Sequence, residues 1–288
     1  MSSFSLHTRL GRRAWFSLWA APMPIWFTTF FLGPLALLIA ISFWSVQNYR
    51  LTPDFSGSAW QYVLGLEFLW ATFWRTYGLA LLSAVLVSLL AFPASYAMAF
   101  LVAPRLRLML LGLVLAPFFT SYLVRVYSLQ VFLAEGGVLP RLTEGLGWSG
   151  ASMLNTYPAL FLGHATLTLP VVLVLQTLAL ANVDRTELSA AANLGARPVH
   201  VLFRVILPAA RAGLALGALF AFLLCYAEFV SATYLGGGRF QTLPILLTDL
   251  VRGGQQWPRA AVVSVLMIAV LLLTSLAAVL WAYRQRGR

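Results

Sequence analysis

Long stretches without a charged residue constrain this chain more than any other feature of its sequence. Asp, Glu, Lys and Arg are all absent from residues 14–49, 76–104, 108–124, 145–183, 212–227 and 260–283. A helix that crosses the apolar part of a bilayer needs about 20 apolar residues, and most of these stretches can supply one. Charged residues make up only 9% of the chain, against about 25% in soluble domains. The sequence therefore predicts an integral membrane protein with several spans.

The predicted fold is all-α, a single transmembrane domain over residues 1–288 that forms a polytopic bundle of six helices. The spans are predicted at residues 14–46, 71–102, 108–133, 157–181, 209–234 and 260–283. Pro93, Pro117 and Pro170 lie inside three of them. Proline in a helix interior removes a backbone donor, so these positions predict kinks.

The arginines predict the orientation of the chain. With both termini in the cytoplasm, the inner face carries Arg9, Arg12, Arg13, Arg105, Arg107, Arg185, Arg197, Arg204, Arg211, Arg284, Arg286 and Arg288. The outer face then carries Arg50, Arg75, Arg141, Arg239, Arg252 and Arg259, while Arg125 lies within a span. An excess of arginine on the cytoplasmic side is the usual rule for membrane proteins. This bias accounts for the net charge of +11, and no nucleic-acid partner is predicted.

The composition argues against chemistry carried out by this chain. All 19 basic residues are arginine, so the lysine of a phosphate-binding loop is missing. One cysteine and three scattered histidines form no metal-ligand pattern. No cofactor is therefore predicted to bind this chain, and ATP-driven transport would need a separate ATPase.

A polar segment between the fourth and fifth predicted spans, about residues 183–208, is the candidate partner-binding element. Asp184 or Thr186 can cap a short helix, with Glu187 near its positive N-terminal end. Ala190 and Ala191 favour helix and keep its surface small enough for close approach of another protein.

A second short helix is predicted after a bend at Gly195. Pro198 fits the first turn of that helix, and Leu207-Pro208 is expected to end it at the start of the fifth span. Its predicted apolar face consists of Val199, Leu202, Phe203 and Ile206. From the pattern alone, an ordinary amphipathic connector is an open alternative.

The spacing of these residues resembles the EAA loop of ABC importer permeases. The resemblance rests on Ala190-Ala191, Leu194-Gly195-Ala196 and Leu207-Pro208. In that family the loop is a coupling helix that docks into a cleft on a cytoplasmic ATPase. The glutamate of the family pattern falls at Ser189 here, while Glu187 lies two residues earlier.

Three further stretches, residues 117–127, 228–237 and 257–261, resemble spermidine/putrescine-type permeases. The resemblance implies a type I importer fold in the bacterial inner membrane. It also implies a cytoplasmic ABC ATPase dimer that uses the ATP, a second, similar permease subunit and a periplasmic or extracellular substrate-binding protein. The implied substrate is a polyamine, with iron(III), phosphonate or opine as the alternative. A secondary carrier, a membrane enzyme or an assembly scaffold are the competing classes.

The candidate translocation residues are polar or aromatic side chains within the spans. Glu228 in an apolar span marks a functional site by default, and it either attracts a cationic substrate or neutralises Arg125. Phe119, Tyr122 and Tyr226 can offer aromatic faces to a polyamine. His164 and Gln176 are expected to form hydrogen bonds between helices instead.

Overall fold

The computed structural model describes residues 22–47, 50–147 and 150–284. Over these residues the regular secondary structure is helical apart from one antiparallel hairpin. The elements are α1 (Pro22–Ile41), β1 (Ser45–Gln47), β2 (Arg50–Thr52), α2 (Ser58–Leu64), α3 (Glu67–Phe100), α4 (Pro104–Leu115), α5 (Tyr122–Leu133), α6 (Val138–Gly145), α7 (Tyr157–Ala181), α8 (Arg185–Asn193), α9 (Pro198–Tyr226), α10 (Val230–Tyr234), α11 (Leu243–Gly254) and α12 (Trp257–Tyr283). The start of the first predicted span, residues 14–21, lies outside the described residues, as do Arg9, Arg12, Arg13, Arg286 and Arg288.

Five of the described helices are long and apolar enough to cross a membrane, namely α1, α3, α7, α9 and α12. The bent pair formed by Pro104–Phe119 and Tyr122–Gly145 gives a sixth if it counts as one span. Large apolar side chains such as Leu89 and Leu272 are exposed on these helices, as expected where lipid or another subunit is the neighbour. The predicted all-α, multi-pass membrane fold is confirmed.

The chain divides into two compact units. The larger one holds Glu67–Thr248 together with the chain from Ile268 onward, and α3, α7 and α9 pack against one another at its centre. Apolar side chains from α5, the start of α7 and the turn after α10 form a second cluster there, around the fully buried Val126 and Leu235.

The smaller unit holds the chain up to Leu66 together with Asp249–Met267. Its hairpin pairs Val46 with Leu51. The indole nitrogen of Trp60 donates to the hydroxyl of Ser42 over 3.2 Å, and the guanidinium of Arg259 lies 3.6 Å from the ring centre of Tyr62.

Two predicted spans are interrupted in the structure. The third bends by 84° because a 3-10 turn at Ala116–Phe119 ends in extended backbone at Thr120. The hydroxyl of Thr120 donates to the carbonyl of Pro117 over 2.8 Å, a local bond that competes with helix. The fifth span does not run to residue 234, because α9 ends at Tyr226 and a short break precedes α10.

The prediction that Leu207-Pro208 ends a helix is wrong. Instead, α9 continues from Pro198 through Pro208 to Tyr226, with a wide π turn at Leu202–Ile206. The N–H of Leu207 donates to the carbonyl of Leu202, so the widened turn precedes the proline that lacks an N–H. A π turn is one of the ways a helix accommodates such a residue.

Candidate functional site

The coupling segment, residues 183–208, begins with a capped helix. The carboxylate of Asp184 accepts the N–H of Thr186 over 2.8 Å, which satisfies a donor that the first turn leaves free. This backbone hydrogen bond lowers the pKa of the Asp184 carboxyl. Glu187 lies in the first turn. The hydroxyl of Ser189 donates to the carbonyl of Arg185 over 2.9 Å, so this side chain bonds to its own helix.

The end of α8 is closed by a glycine in a left-handed conformation. Gly195 has a φ of +75°, and its N–H donates to the carbonyl of Ala192 over 2.9 Å. The N–H of Ala196 donates to the carbonyl of Ala191 over 3.1 Å. These two bonds make a Schellman motif, which satisfies the last carbonyls and turns the chain. The predicted bend at Gly195 is confirmed.

One side of the coupling segment is anchored and the other is exposed. Ile206 is buried in a cluster with Ala99, Leu180 and Val183, and Leu202 packs against it. By contrast, 88% of Leu194 is exposed, beside a groove of about 400 Å³ that also includes Ala191, Gly195, Ala196, Arg197, His200, Val201, Arg204 and Val205. Val199 and Phe203 are exposed as well. The predicted apolar face of the second helix is therefore divided between the core and the surface.

The remaining residues of the predicted loop follow the same division. Ala190 and Pro208 are exposed, while Leu207 is half-buried. The exposed surface thus carries small side chains beside Leu194, with Val199 and Phe203 as further exposed apolar side chains. Such a surface allows close approach of a partner and offers it apolar area to bury.

Glu228 lies in the break between α9 and α10 and is almost fully buried. Its two carboxylate oxygens accept the N–H of Ser231 over 2.9 Å and the hydroxyl of Ser231 over 2.5 Å. The carboxylate therefore accepts two hydrogen bonds at the start of α10, directly after the break that follows α9.

His164 on α7 is the ionisable neighbour of Glu228. Its Nε2 lies 3.5 Å from a Glu228 carboxylate oxygen, and its Nδ1 lies 2.9 Å from the hydroxyl of Ser83 on α3. The hydroxyl of Tyr122 lies 2.9 Å from that of Ser231. Glu228, His164, Ser83, Ser231 and Tyr122, named here the polar cluster, connect α3, α5, α7 and α10.

Arg125 is not the partner of Glu228 in the structure. Its guanidinium donates to the backbone carbonyl of Thr166 over 2.6 Å and lies over the rings of Phe118 and Tyr122, at 5.8 and 5.5 Å from their centres. The alternative in which Glu228 neutralises Arg125 is therefore wrong, because each side chain has other partners. The predicted hydrogen bonds between helices are confirmed for His164 and for Gln176, whose amide donates to the carbonyl of Ser88 on α3 over 3.0 Å.

The three aromatic candidates have different surroundings. Phe119 is 91% exposed in the 3-10 turn, and Tyr122 is half-buried in the polar cluster. Tyr226 is completely buried, and its ring lies 5.6 Å from Phe222 and 6.4 Å from Tyr77 between ring centres. Only Phe119 among the three presents its ring freely at the surface of the described chain.

Tyr226→Phe is expected to leave both uptake and thermal unfolding unchanged or slightly improved. Among the described residues the Tyr226 hydroxyl has no hydrogen-bond partner, and removing a buried unpaired polar group costs little. Transport assays and unfolding curves of the variant test this. A marked loss of uptake with normal unfolding would assign the hydroxyl a role in transport.

Sequence reasoning missed Ser83 and Ser231, which complete the polar cluster. Ser231 carries a recognisable signal, because it lies three residues after an intramembrane glutamate, the spacing at which an acidic side chain can bond to a free N–H. Ser83 gives no such signal, since serine is common in membrane helices.

Comparisons with known proteins agree in fold and in sequence. No protein-family model matches the chain. It is 28% identical over 251 residues to the spermidine/putrescine transport system permease protein PotB of Haemophilus influenzae, covering 86% of this chain and 87% of that protein. It is 27% identical to PotB of Escherichia coli over 198 residues, 67% of this chain and 70% of that protein. The putrescine transport system permease protein PotI of E. coli is 30% identical over 147 residues, 51% of each chain.

Solved structures show the same architecture. The crystal structure of a bacterial ABC transporter involved in alginate import matches with a TM-score of 0.79 at 15% identity, over 98% of this chain and 99% of that one. The MetNI methionine ABC transporter matches with a TM-score of 0.56 at 15% identity, over 76% of this chain and 98% of that one. These findings confirm the resemblance predicted from the sequence: the chain has the fold of ABC importer transmembrane subunits, and its sequence is similar to those of spermidine/putrescine permeases.

Proposed function

We propose that this chain is the transmembrane subunit of an ATP-driven importer for polyamines in the bacterial inner membrane. The observation that carries the proposal is the coupling segment, in which a capped helix ends in a Schellman bend at Gly195 and exposes Leu194. This segment would dock on a separate ATPase, which uses the ATP. It would face the cytoplasm together with both termini.

The docking surface has the properties that a rigid contact requires. Ala190 and Ala191 let the partner backbone approach, and Leu194 would fill an apolar pocket on it, as buried anchors do in protein interfaces. Leu202 and Ile206 fix the segment to the ends of α3 and α7. A movement of the docked helix would therefore be transmitted directly to α3 and α7.

The broken helix between α4 and α5 supports a pathway lined by more than one chain. Phe118, Phe119, Thr120 and Ser121 are exposed, yet irregular backbone at membrane depth is stable only against protein or a water-filled cavity. We infer that a second, similar permease covers this face and that the pathway runs past it. A substrate-binding protein would deliver the solute, as in the alginate transporter whose crystal structure includes a periplasmic protein.

Among the candidate pathway residues, Phe119 has the surroundings best suited to binding a polyamine. Its exposed ring can attract an amine cation through a cation–π interaction, worth about 0.5–2 kcal/mol. The rings of Phe118 and Tyr122 already face the guanidinium of Arg125. Glu228 and Tyr226, being buried, would reach the pathway only if helices separate during the transport cycle.

Uptake of labelled spermidine by proteoliposomes that contain the complete transporter tests the proposed substrate. We expect ATP-dependent uptake that excess putrescine inhibits and that Phe119→Ala reduces about 5- to 10-fold, in line with the loss of one cation–π contact. Phe220→Ala, which removes another exposed ring of a membrane helix, is the control and is expected to have little effect. Uptake of a phosphonate, an opine or iron(III) in place of spermidine would contradict the polyamine assignment and leave the permease assignment intact.

A further inference from the structure

The proline turn of α7 leaves a backbone carbonyl without its helical partner. Pro170 is buried and lies inside α7, which continues through it from Tyr157 to Ala181. In a regular helix the N–H of residue 170 would donate to the carbonyl of Thr166, four residues earlier. Proline has no N–H, and an unsatisfied backbone group within a membrane is costly. The carbonyl of Thr166 therefore needs a donor from outside its own helix.

Arg125 supplies that donor. Its guanidinium is 2.6 Å from the carbonyl oxygen of Thr166, a short distance typical of a bond from a charged donor. The hydroxyl of Thr166 donates to the carbonyl of Gly163 over 2.8 Å, so the side chain of Thr166 serves a different carbonyl. We propose that Arg125 is a positioning residue that replaces the hydrogen bond lost at Pro170 and thereby joins α5 to the proline turn of α7.

The same two helices meet one turn away through a matching contact. Tyr122 lies three residues before Arg125, and its hydroxyl is 3.4 Å from the carbonyl of Gly163, three residues before Thr166. Residues three apart lie on the same helix face, so the two contacts align α5 with α7 along one edge. Because the chain is extended at Thr120, α5 does not continue from α4 as one helix, and these contacts hold it in place.

This role differs from neutralising a carboxylate and from binding a substrate. The charge of Arg125 is balanced by a carbonyl dipole and two aromatic faces, at 5.8 and 5.5 Å. It follows that the need for Arg125 depends on Pro170. With an N–H restored at position 170, the carbonyl of Thr166 regains its helical partner and Arg125 becomes dispensable.

The test compares Arg125→Met in three backgrounds within the complete transporter. In the wild-type background, Arg125→Met is expected to lower the unfolding temperature by about 3–10 °C and to reduce uptake in parallel. In a Pro170→Ala background, the added Arg125→Met is expected to change neither quantity relative to Pro170→Ala alone. Pro93→Ala, which restores an N–H within α3, is the matched control, and there Arg125→Met should be as harmful as in the wild type. Arg125→Lys, which keeps a charged donor, should lie between Arg125→Met and the wild type.

Two results would overturn the proposal. One is an equal loss from Arg125→Met in the wild-type and Pro170→Ala backgrounds, which would separate the arginine from the proline turn. The other is a stability of Arg125→Met equal to or above that of the wild type, as expected if the arginine is only a costly buried charge. The unfolding temperature does not depend on which solute is carried, so either result leaves the proposed substrate untouched.

Discussion

Gly195→Val is expected to uncouple the transporter, lowering substrate-stimulated ATP hydrolysis by roughly 5- to 30-fold. Gly195 has a φ of +75° and no atom within 4 Å of the position that a Cβ would occupy. The loss would therefore come from backbone strain, about 1–2 kcal/mol for a residue with a Cβ in the left-handed region. Strain of that size would open the Schellman bend and move Leu194 and Ala196 away from the docked position. Stimulated ATP hydrolysis and uptake, measured on the same preparation, test this prediction.

Gly136→Val is the matched control for the backbone effect. Gly136 also has a positive φ, +71°, and no neighbour within 4 Å of a built Cβ, but it lies between α5 and α6. We expect this variant to carry similar strain and to keep its ATPase bound. Ala190→Trp, which leaves the backbone unstrained, should block docking by size alone. Normal stimulated hydrolysis in both Gly195→Val and Ala190→Trp would exclude the coupling segment as the docking site.

Glu228→Ala is expected to prevent stable assembly of the transporter. The change removes the carboxylate neighbour of His164 and the carboxylate that accepts both the N–H and the hydroxyl of Ser231, all in buried surroundings. Each buried donor left without its acceptor costs about 1–3 kcal/mol, and two of them are a large fraction of the stability of a typical domain. Glu228→Gln, which keeps an acceptor for Ser231, should be milder. The amount of folded protein in the membrane and its unfolding temperature in detergent give the answer.

The control for Glu228 is Glu135→Gln, an exposed glutamate in the turn after α5, which should behave as the wild type. His164→Gln is expected to add little to the damage already done by Glu228→Gln, because the two side chains share one contact. Arg125→Gln should add its own separate defect. If Arg125→Gln instead restored stable assembly of the Glu228→Gln variant, the result would support a Glu228–Arg125 pair and contradict the contacts seen in the structure.

The membrane helices could be predicted from the sequence because their signal is local. The bounds of α7 agree with the predicted span at residues 157–181, since Thr156 caps its start and the uncharged run ends just before Asp184. The cap at Asp184 and the bend at Gly195 were equally predictable, because each depends on one residue type with a specific conformational preference.

The interruptions and the polar contacts could not be predicted in the same way. Pro117 predicts a kink in the third span, but the uncharged run of residues 108–124 extends past Thr120, so the absence of charge predicts one span and not two separate helices. Pro208 predicts a helix end by its missing N–H, yet α9 continues through it because a π turn at Leu202–Ile206 precedes the proline. Glu228 and His164 meet only because α7 and the start of α10 pack closely. A Cβ built on Gly163 would lie 2.5 Å from the Cβ of Ser231.

The proposed single transmembrane domain, its orientation and its pathway residues stay predictions. Each depends on surroundings outside this chain: the bilayer, the second permease and the ATPase. The exposed Leu194 and Phe119 are the residues expected to contact those neighbours.

The most direct test of the account is ATP hydrolysis and uptake by the purified chain in liposomes, with and without its partners. The chain alone is expected to hydrolyse no ATP and to accumulate no spermidine, because its sequence contains no lysine for a phosphate-binding loop. Addition of a separate ABC ATPase, a second permease and a substrate-binding protein should produce ATP-dependent uptake. ATP hydrolysis by a preparation free of other subunits, or uptake driven by an ion gradient without ATP, would contradict the assignment of this chain as an importer permease.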